Sequence, residues 1–207
     1  QHPDLTVFYT PVSIGQRAIT KQCARLARGK YIQKSDAHCS FDEGWDVEML
    51  KMFEKEGDNI VGAPNMKNLF VFEWVCPCGK RVYQDKKSVC TCGKQMTKEI
   101  VWKAKRSPNS TSFCFDASPK FQYFNEYKQH QKGDYVESMG LQGSFFMMTK
   151  EKYFTLDIDD ESFGSWGSQG LSIACKFWLS GGRVLINKRC SYAHAFRTKP
   201  ANGFGFP

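Results

Sequence analysis

No apolar run in these 207 residues approaches the length of a membrane-spanning helix, and the start lacks the pattern of a signal peptide. Acid is in deficit: 29 Lys and Arg stand against 21 Asp and Glu, a formal net charge of +8. The low hydrophobicity of a disordered chain is absent, because 41% of residues are hydrophobic and 14% aromatic, with 17 Phe and 5 Trp. Nor do the cysteines form a complete set of pairs, since there are nine. What is left is a globular chain, long enough for one core or a core plus a small module. Its basic surface suits an anionic partner: a nucleotide diphosphate, a nucleic acid or an acidic surface. The cysteine pattern, four clustered and five scattered, reads as a reducing, cytoplasmic compartment with one metal cluster rather than a disulfide framework. The chain begins at Gln1 rather than Met, as a processed form or a fragment does.

Along the chain, Leu5 to Tyr9 reads as a short strand. Ser13 stands where it would cap a helix running to about Arg28, with Ile14, Ala18, Ile19, Gln22 and Leu26 near one face and Gly29 closing it. A strand at Tyr31 to Lys34 follows. A second helix is expected from Trp45 to Glu56, with Trp45, Met49, Met52 and Phe53 on one face; Asn59 to Gly62 then reads as a strand. Residues 107–139 are polar and aromatic and read mostly as loop, with Phe121 to Phe124 as their best strand. Residues 143–148 form a buried strand, Thr149 caps a short helix, and 163–167 is a turn. Ser168 starts a helix with Leu171, Ala174, Cys175 and Trp178 inward, closed by Gly181-Gly182 before a strand at 183–186. This alternation indicates an α/β class with one mixed sheet flanked by helices.

Two clusters carry chemistry. Asp36 and His38 follow the Tyr31 strand, and residues i and i+2 of an extended segment point to one side. A carboxylate oxygen and an imidazole nitrogen there suit Mn²⁺ or a similar divalent ion; the same triplet also fits a capped turn with a surface histidine. The second cluster is Cys76-Pro77-Cys78-Gly79 and Cys90-Thr91-Cys92-Gly93, framed by apolar segments 69–72 and 100–102 whose pairing would make a hairpin. Thiolates at this density fit tetrahedral Zn²⁺, although Cys-x-Cys departs from the usual Cys-x-x-Cys. A site closed by Cys76, Cys78, Cys90 and Cys92 has no position for substrate, so the zinc is structural. The chain therefore divides into 1–68, core; 69–104, a zinc-ribbon-like insertion; and 105–207, core.

The run from Gly29 to Cys39 resembles the core of GT-A glycosyltransferases, specifically bacterial and phage family-2 enzymes, and is similar to polypeptide N-acetylgalactosaminyltransferases. Downstream, Asp160-Glu161, Trp166-Gly167, Leu171 and Gly181-Gly182 follow the spacing of the DE…WGGENLE…GG block of those enzymes, and residues 190–197 resemble their CS-x-x-GH-x-FR segment. The resemblance implies transfer of a sugar, a hexose or N-acetylhexosamine, from a nucleotide-diphosphate donor to a glycan, protein or nucleic-acid acceptor. It implies a bacterial or viral source and a catalytic Mn²⁺ or Mg²⁺ held by Asp36, His38 and His194. It places Arg17, Trp166 and Arg197 beside the donor, and Asp160, Glu161 and Gln169 among the residues of the reaction. Two departures stand out. Gln169 and Gly170 replace the family's Glu and Asn, and an amide cannot serve as a base. The β-α-β unit that precedes the equivalent of Leu5 in the family is missing from these residues, so the sequence reads as a piece of a larger transferase. The alternatives are a zinc-ribbon module that binds nucleic acid, with basic charge and aromatics available to stack bases, and an inactive transferase relic.

Overall fold

The computed structural model describes residues 3–83, 89–106 and 109–196. In chain order the elements are α1 (Gln16–Leu26), β1 (Tyr31–Ser35), β2 (Cys39–Phe41), α2 (Trp45–Glu56), β3 (Ile60–Val75), β4 (Arg81–Tyr83), β5 (Thr97–Ala104), β6 (Phe113–Phe115), β7 (Phe121–Tyr123), β8 (Tyr135–Glu137), β9 (Phe145–Thr149), α3 (Lys150–Thr155), α4 (Gln169–Leu179) and β10 (Arg183–His194). The central sheet runs β1-β9-β3-β10-β2, with β8 also on β10. Strands β3 and β10 are parallel and the other pairs antiparallel, so the sheet is mixed, as expected.

Both faces of the sheet are covered. Successive β9 side chains alternate between them: Phe145 and Met147 pack with Met49, Met52 and Phe53 of α2, whereas Phe146 and Met148 pack with Ala24 of α1, Tyr153 of α3 and Phe177 of α4. Burial on both sides explains the unbroken apolar run of that strand. The α2 helix has the bounds and inward face read from sequence. Thr149 caps α3, its hydroxyl accepting from the Lys152 amide at 3.2 Å.

Several expectations change. Leu5 to Tyr9 pairs with no strand among the described residues and is largely solvent-exposed. Helix α1 starts after Gly15 (φ 86°), not under a Ser13 cap. Its first amides, on Gln16 and Arg17, donate to the Ser165 carbonyl at 2.9 and 3.3 Å, so a distant turn does the capping. Its buried residues are Arg17 and Ala24, while Ile14 and Leu26 face solvent. In α4 Leu171 and Ala174 are buried as expected, joined by Ile173 and Phe177, whereas Cys175 and Trp178 are only half-buried. Ser168 precedes α4 in a left-handed conformation (φ 50°) and makes no side-chain cap bond. The strand expected at 59–62 and the apolar segment 69–72 are one element, the 16-residue β3. Its distal half pairs with β5 in register Leu69↔Ala104, Phe72↔Ile100 and Val75↔Thr97, the expected hairpin, and β4 flanks its other edge.

Gly170 leaves no space for a side chain. A Cβ at this position would lie 2.1 Å from the Leu141 carbonyl oxygen and 2.8 Å from the Gly143 amide nitrogen, both backbone atoms. Gly170→Ala is therefore expected to destabilise the fold by about 2–3 kcal/mol through overpacking, read as a melting temperature lower by roughly 5–10 °C. An unchanged melting temperature would show that α4 and the 141–143 loop are not in this contact.

Candidate functional site

Three strand ends build the site. The Asp36 amide, just past β1, donates to the Ser144 carbonyl at 3.0 Å, tying that end to the loop before β9. His194 closes β10 and pairs in register with Cys39 of β2, while the Ala195 amide donates to the His38 carbonyl at 3.0 Å. The β2–β10 ladder thus brings residues 38 and 194 side by side across the whole length of the chain. His194 Nε2 lies 3.3 Å and His38 Nε2 3.8 Å from Asp36 Oδ2, and the two imidazole centroids are 4.6 Å apart. One ligand atom from each of the three residues lies within 4.8 Å of the others, a spacing able to hold a metal ion. His194 is buried and His38 exposed, so the cluster opens on one side. The second nitrogen of His194, Nδ1, is buried with no hydrogen-bond partner among the described residues, and the Phe196 ring stands edge-on to the imidazole at 4.3 Å.

Lys34, which sequence reasoning missed, completes the surroundings. Its ammonium donates to Asp36 Oδ1 at 2.5 Å and to the Gly143 carbonyl at 2.9 Å. Burial pushes the Asp36 carboxyl up, but hydrogen bonds from His194 and Lys34 outweigh it and hold the group below the usual carboxylate range. The pattern could have signalled Lys34, because residues 34 and 36 share one side of the extended segment. A cleft of about 500 Å³ opens beside the cluster, lined by Asp36, His194, Gln142, Gly143, Trp166 and Gln169 among others. Trp166 borders it half-exposed.

The other expected site residues fare differently. Arg17 does not line the cleft: it is 2% exposed, and its guanidinium donates to the carbonyls of Gly164 and Gly167 at 3.3 and 2.6 Å. It anchors the 164–167 turn beneath Trp166. Asp160 and Glu161 also lie outside the cleft lining. Asp160 accepts from the Ser162 amide at 2.9 Å and faces Lys176 at 3.8 Å, and Glu161 is exposed on the short 3-10 turn Glu161–Phe163. The buried acid is their neighbour Asp159, fully enclosed, accepting from the Tyr153 hydroxyl and the Gln169 amide, each at 2.5 Å. In a run of three acids only the fold selects which one turns inward. Gln169 lines the cleft and also accepts from Gln16 Nε2 at 3.3 Å. Arg197 lies outside the described residues.

At the hairpin tip, Cys76, Cys78, Cys90 and Cys92 converge, with Sγ–Sγ distances of 3.4 Å (Cys76–Cys92) and 3.5 Å (Cys78–Cys90). These exceed a disulfide bond of about 2.05 Å, and all four are free thiols. The two knuckles repeat one backbone pattern: the Gly79 amide donates to the Cys76 carbonyl and the Gly93 amide to the Cys90 carbonyl, both at 2.8 Å. Both glycines have positive φ, 87° and 76°, which these tight turns require. A backbone hydrogen bond from Cys92 leads the causes that draw the Cys90 thiol below its ordinary range, toward the thiolate form that ligates metal.

No protein-family model matches the chain. A Drosophila melanogaster protein carrying the name polypeptide N-acetylgalactosaminyltransferase 13 is 26% identical over 186 residues, covering 89% of this chain and 28% of the relative. Polypeptide N-acetylgalactosaminyltransferase 3 of Homo sapiens is 23% identical over 187 residues, covering 87% of this chain and 25% of the relative. Among solved structures, GalNAc-T7 with UDP, GalNAc and Mn²⁺ superposes with a TM-score of 0.70 at 19% identity, over 98% of this chain and 34% of that one. The chain thus spans only about a quarter to a third of the length of these proteins. Its fold is that of the GT-A glycosyltransferases, and its curated relatives are polypeptide N-acetylgalactosaminyltransferases.

Proposed function

We propose that this chain performs divalent-metal-dependent transfer of a hexose or N-acetylhexosamine from a nucleotide-diphosphate donor to an acceptor. The observation that carries the reading is the convergence of Asp36, His38 and His194 at the edge of the cleft. One carboxylate oxygen and two imidazole nitrogens form a donor set that Mn²⁺ accepts and the all-oxygen preference of Mg²⁺ disfavours, and Asp36 and His194 open onto the cleft, where donor phosphates would lie. When bound, such an ion supplies charge neutralisation for the diphosphate leaving group. The chain's own residues do the rest. Lys34 and the Ser144 carbonyl fix Asp36 so that Oδ2 faces the histidines. Trp166 and Gln169 border the space for the sugar, and Arg17 holds the turn that carries Trp166. Gln169 has no proton-accepting role as a base. Its place is to hydrogen-bond the substrate. We also assign Cys76, Cys78, Cys90 and Cys92 a structural Zn²⁺, and the protein a reducing compartment, since its nine cysteines are free.

The test is a calorimetric titration of UDP into the protein. Mn²⁺ is expected to tighten UDP binding at least tenfold, roughly the 1.4 kcal/mol that one order of magnitude represents, and EDTA to reverse it. UDP affinity indifferent to Mn²⁺ would sink the reading.

A further inference from the structure

We infer that Asp159 is a positioning residue that fixes which end of the Gln169 amide faces the cleft, so that the site offers the transferred sugar a hydrogen-bond acceptor, Gln169 Oε1. This rests on the sugar-transfer reading above and names how that site reads its substrate.

The argument begins with valence. Asp159 is fully buried, and its two oxygens are each taken by one donor: Oδ2 by the Tyr153 hydroxyl, Oδ1 by Gln169 Nε2, both at 2.5 Å. A carboxylate only accepts. The amide of residue 169 must therefore turn its NH₂ toward Asp159, and its carbonyl is left on the other side. There Oε1 accepts from Gln16 Nε2 at 3.3 Å, and the backbone of Gly143 comes so close that an added Cβ would stand 3.8 Å from it. Gln16, Gly143 and Gln169 all line the cleft. An amide oxygen has two lone pairs, and Gln16 uses one. The group that fills the other must carry an O–H or N–H, and the hydroxyls of a nucleotide sugar supply it.

The same geometry accounts for the amide itself. Glutamate at position 169 would set two carboxylates in contact inside a buried site, where both cannot ionise. Here the negative charge sits one layer inward, on Asp159. Burial pushes that carboxyl up, and the bonds from Tyr153 and Gln169, with the field of Arg17, oppose the rise. The site thereby keeps a fixed acceptor facing the cleft without placing a charge there.

Asp159→Asn reverses the relay with little change of shape. Its oxygen takes the Tyr153 hydroxyl, its NH₂ faces residue 169, and the Gln169 amide turns over, aiming a donor at the cleft. With Mn²⁺ present, this variant is expected to bind UDP as the unaltered protein does. It should lose roughly tenfold of the extra affinity that UDP-GalNAc shows over UDP, the effect of one unmatched buried hydrogen bond. Gln169→Glu is expected to lower the melting temperature by about 10 °C, as an uncompensated buried charge does. Adding Asp159→Asn to it should recover most of that loss, because an amide then faces a single carboxylate again. An unchanged preference for UDP-GalNAc over UDP in Asp159→Asn, or no sugar-dependent gain in affinity in the unaltered protein, overturns the inference alone. Additive melting shifts in the double variant overturn the contact between residues 159 and 169. Absence of Mn²⁺-dependent UDP binding in the unaltered protein overturns instead the sugar-transfer reading.

Discussion

Replacing His194 with alanine is expected to abolish the Mn²⁺ enhancement of UDP binding and to lower sugar transfer by roughly 10²–10³-fold, the scale of removing one preorganised electrostatic contact at a reacting group. The fold should survive, because the β10 ladder that places residue 194 is made by backbone pairs with β2 and β3. Asp36→Asn is the instructive companion. It removes the shared ligand oxygen, so the Mn²⁺ response is lost as well. It also strips the buried Lys34 ammonium, 11% exposed, of its charged partner, which is expected to cost about 1–3 kcal/mol of stability. The two variants therefore separate by melting temperature while agreeing on metal. A His194→Ala protein that keeps its Mn²⁺ response would remove β10 from the metal site.

Zinc removal is the second large effect. One equivalent of Zn²⁺ is expected in protein purified without added metal, bound by the four thiolates in tetrahedral geometry. A strong chelator, or Cys90→Ser, should unfold the outer hairpin while the central sheet persists. Among the described residues the hairpin's own core is Cys76, Cys90 and Met96, with Trp74 and Val82 packed against them. That is far too little apolar burial to hold it without the ion, whose binding in comparable sites provides about 10 kcal/mol or more. Limited trypsin digestion reads this directly. Cleavage at Lys80, Arg81, Lys94 or Lys98 should appear on chelation and cease when Zn²⁺ is restored, with the 145–194 region intact throughout. Equal trypsin resistance with and without chelator would refute a structural metal.

How far the sequence announced this architecture varies with how local each signal was. Helix α2 was legible to the residue because its apolar period and its closing Gly57 are both local. Strand β3 was read as two segments, 59–62 and 69–72, and Pro64 falls between them. The structure shows why proline is tolerated. The Met66 amide, two residues on, points away from β10 to the Ser110 carbonyl, so the position-64 nitrogen faces that same side and no β10 bond is lost. Leu5 to Tyr9 has strand-like composition, but a strand exists only with a partner, and composition carries no information about one. At the site, Asp36, His38 and His194 were legible through motif order. Asp159 and the inward turn of Arg17 were not, because each is defined by a partner more than 100 residues away or by which of several adjacent acids the packing selects; Lys34 was missed although its i, i+2 spacing from Asp36 carried the signal.

The continuity of β3 gives the molecule a fixed measure. Asn68 of that strand stands in register with His194, and the same strand runs on without interruption to Val75, where the cysteine tip begins. The seven steps from Asn68 to Val75, at about 3.3 Å each, set the tip roughly 23 Å from the metal-site end of β10. No linker intervenes, so this distance behaves as a strut rather than a tether. Anything the cysteine tip touches is thereby held at one bearing and one range from the cleft, and shortening the strand by two residues would move that point by about 7 Å while preserving which side chains face each way.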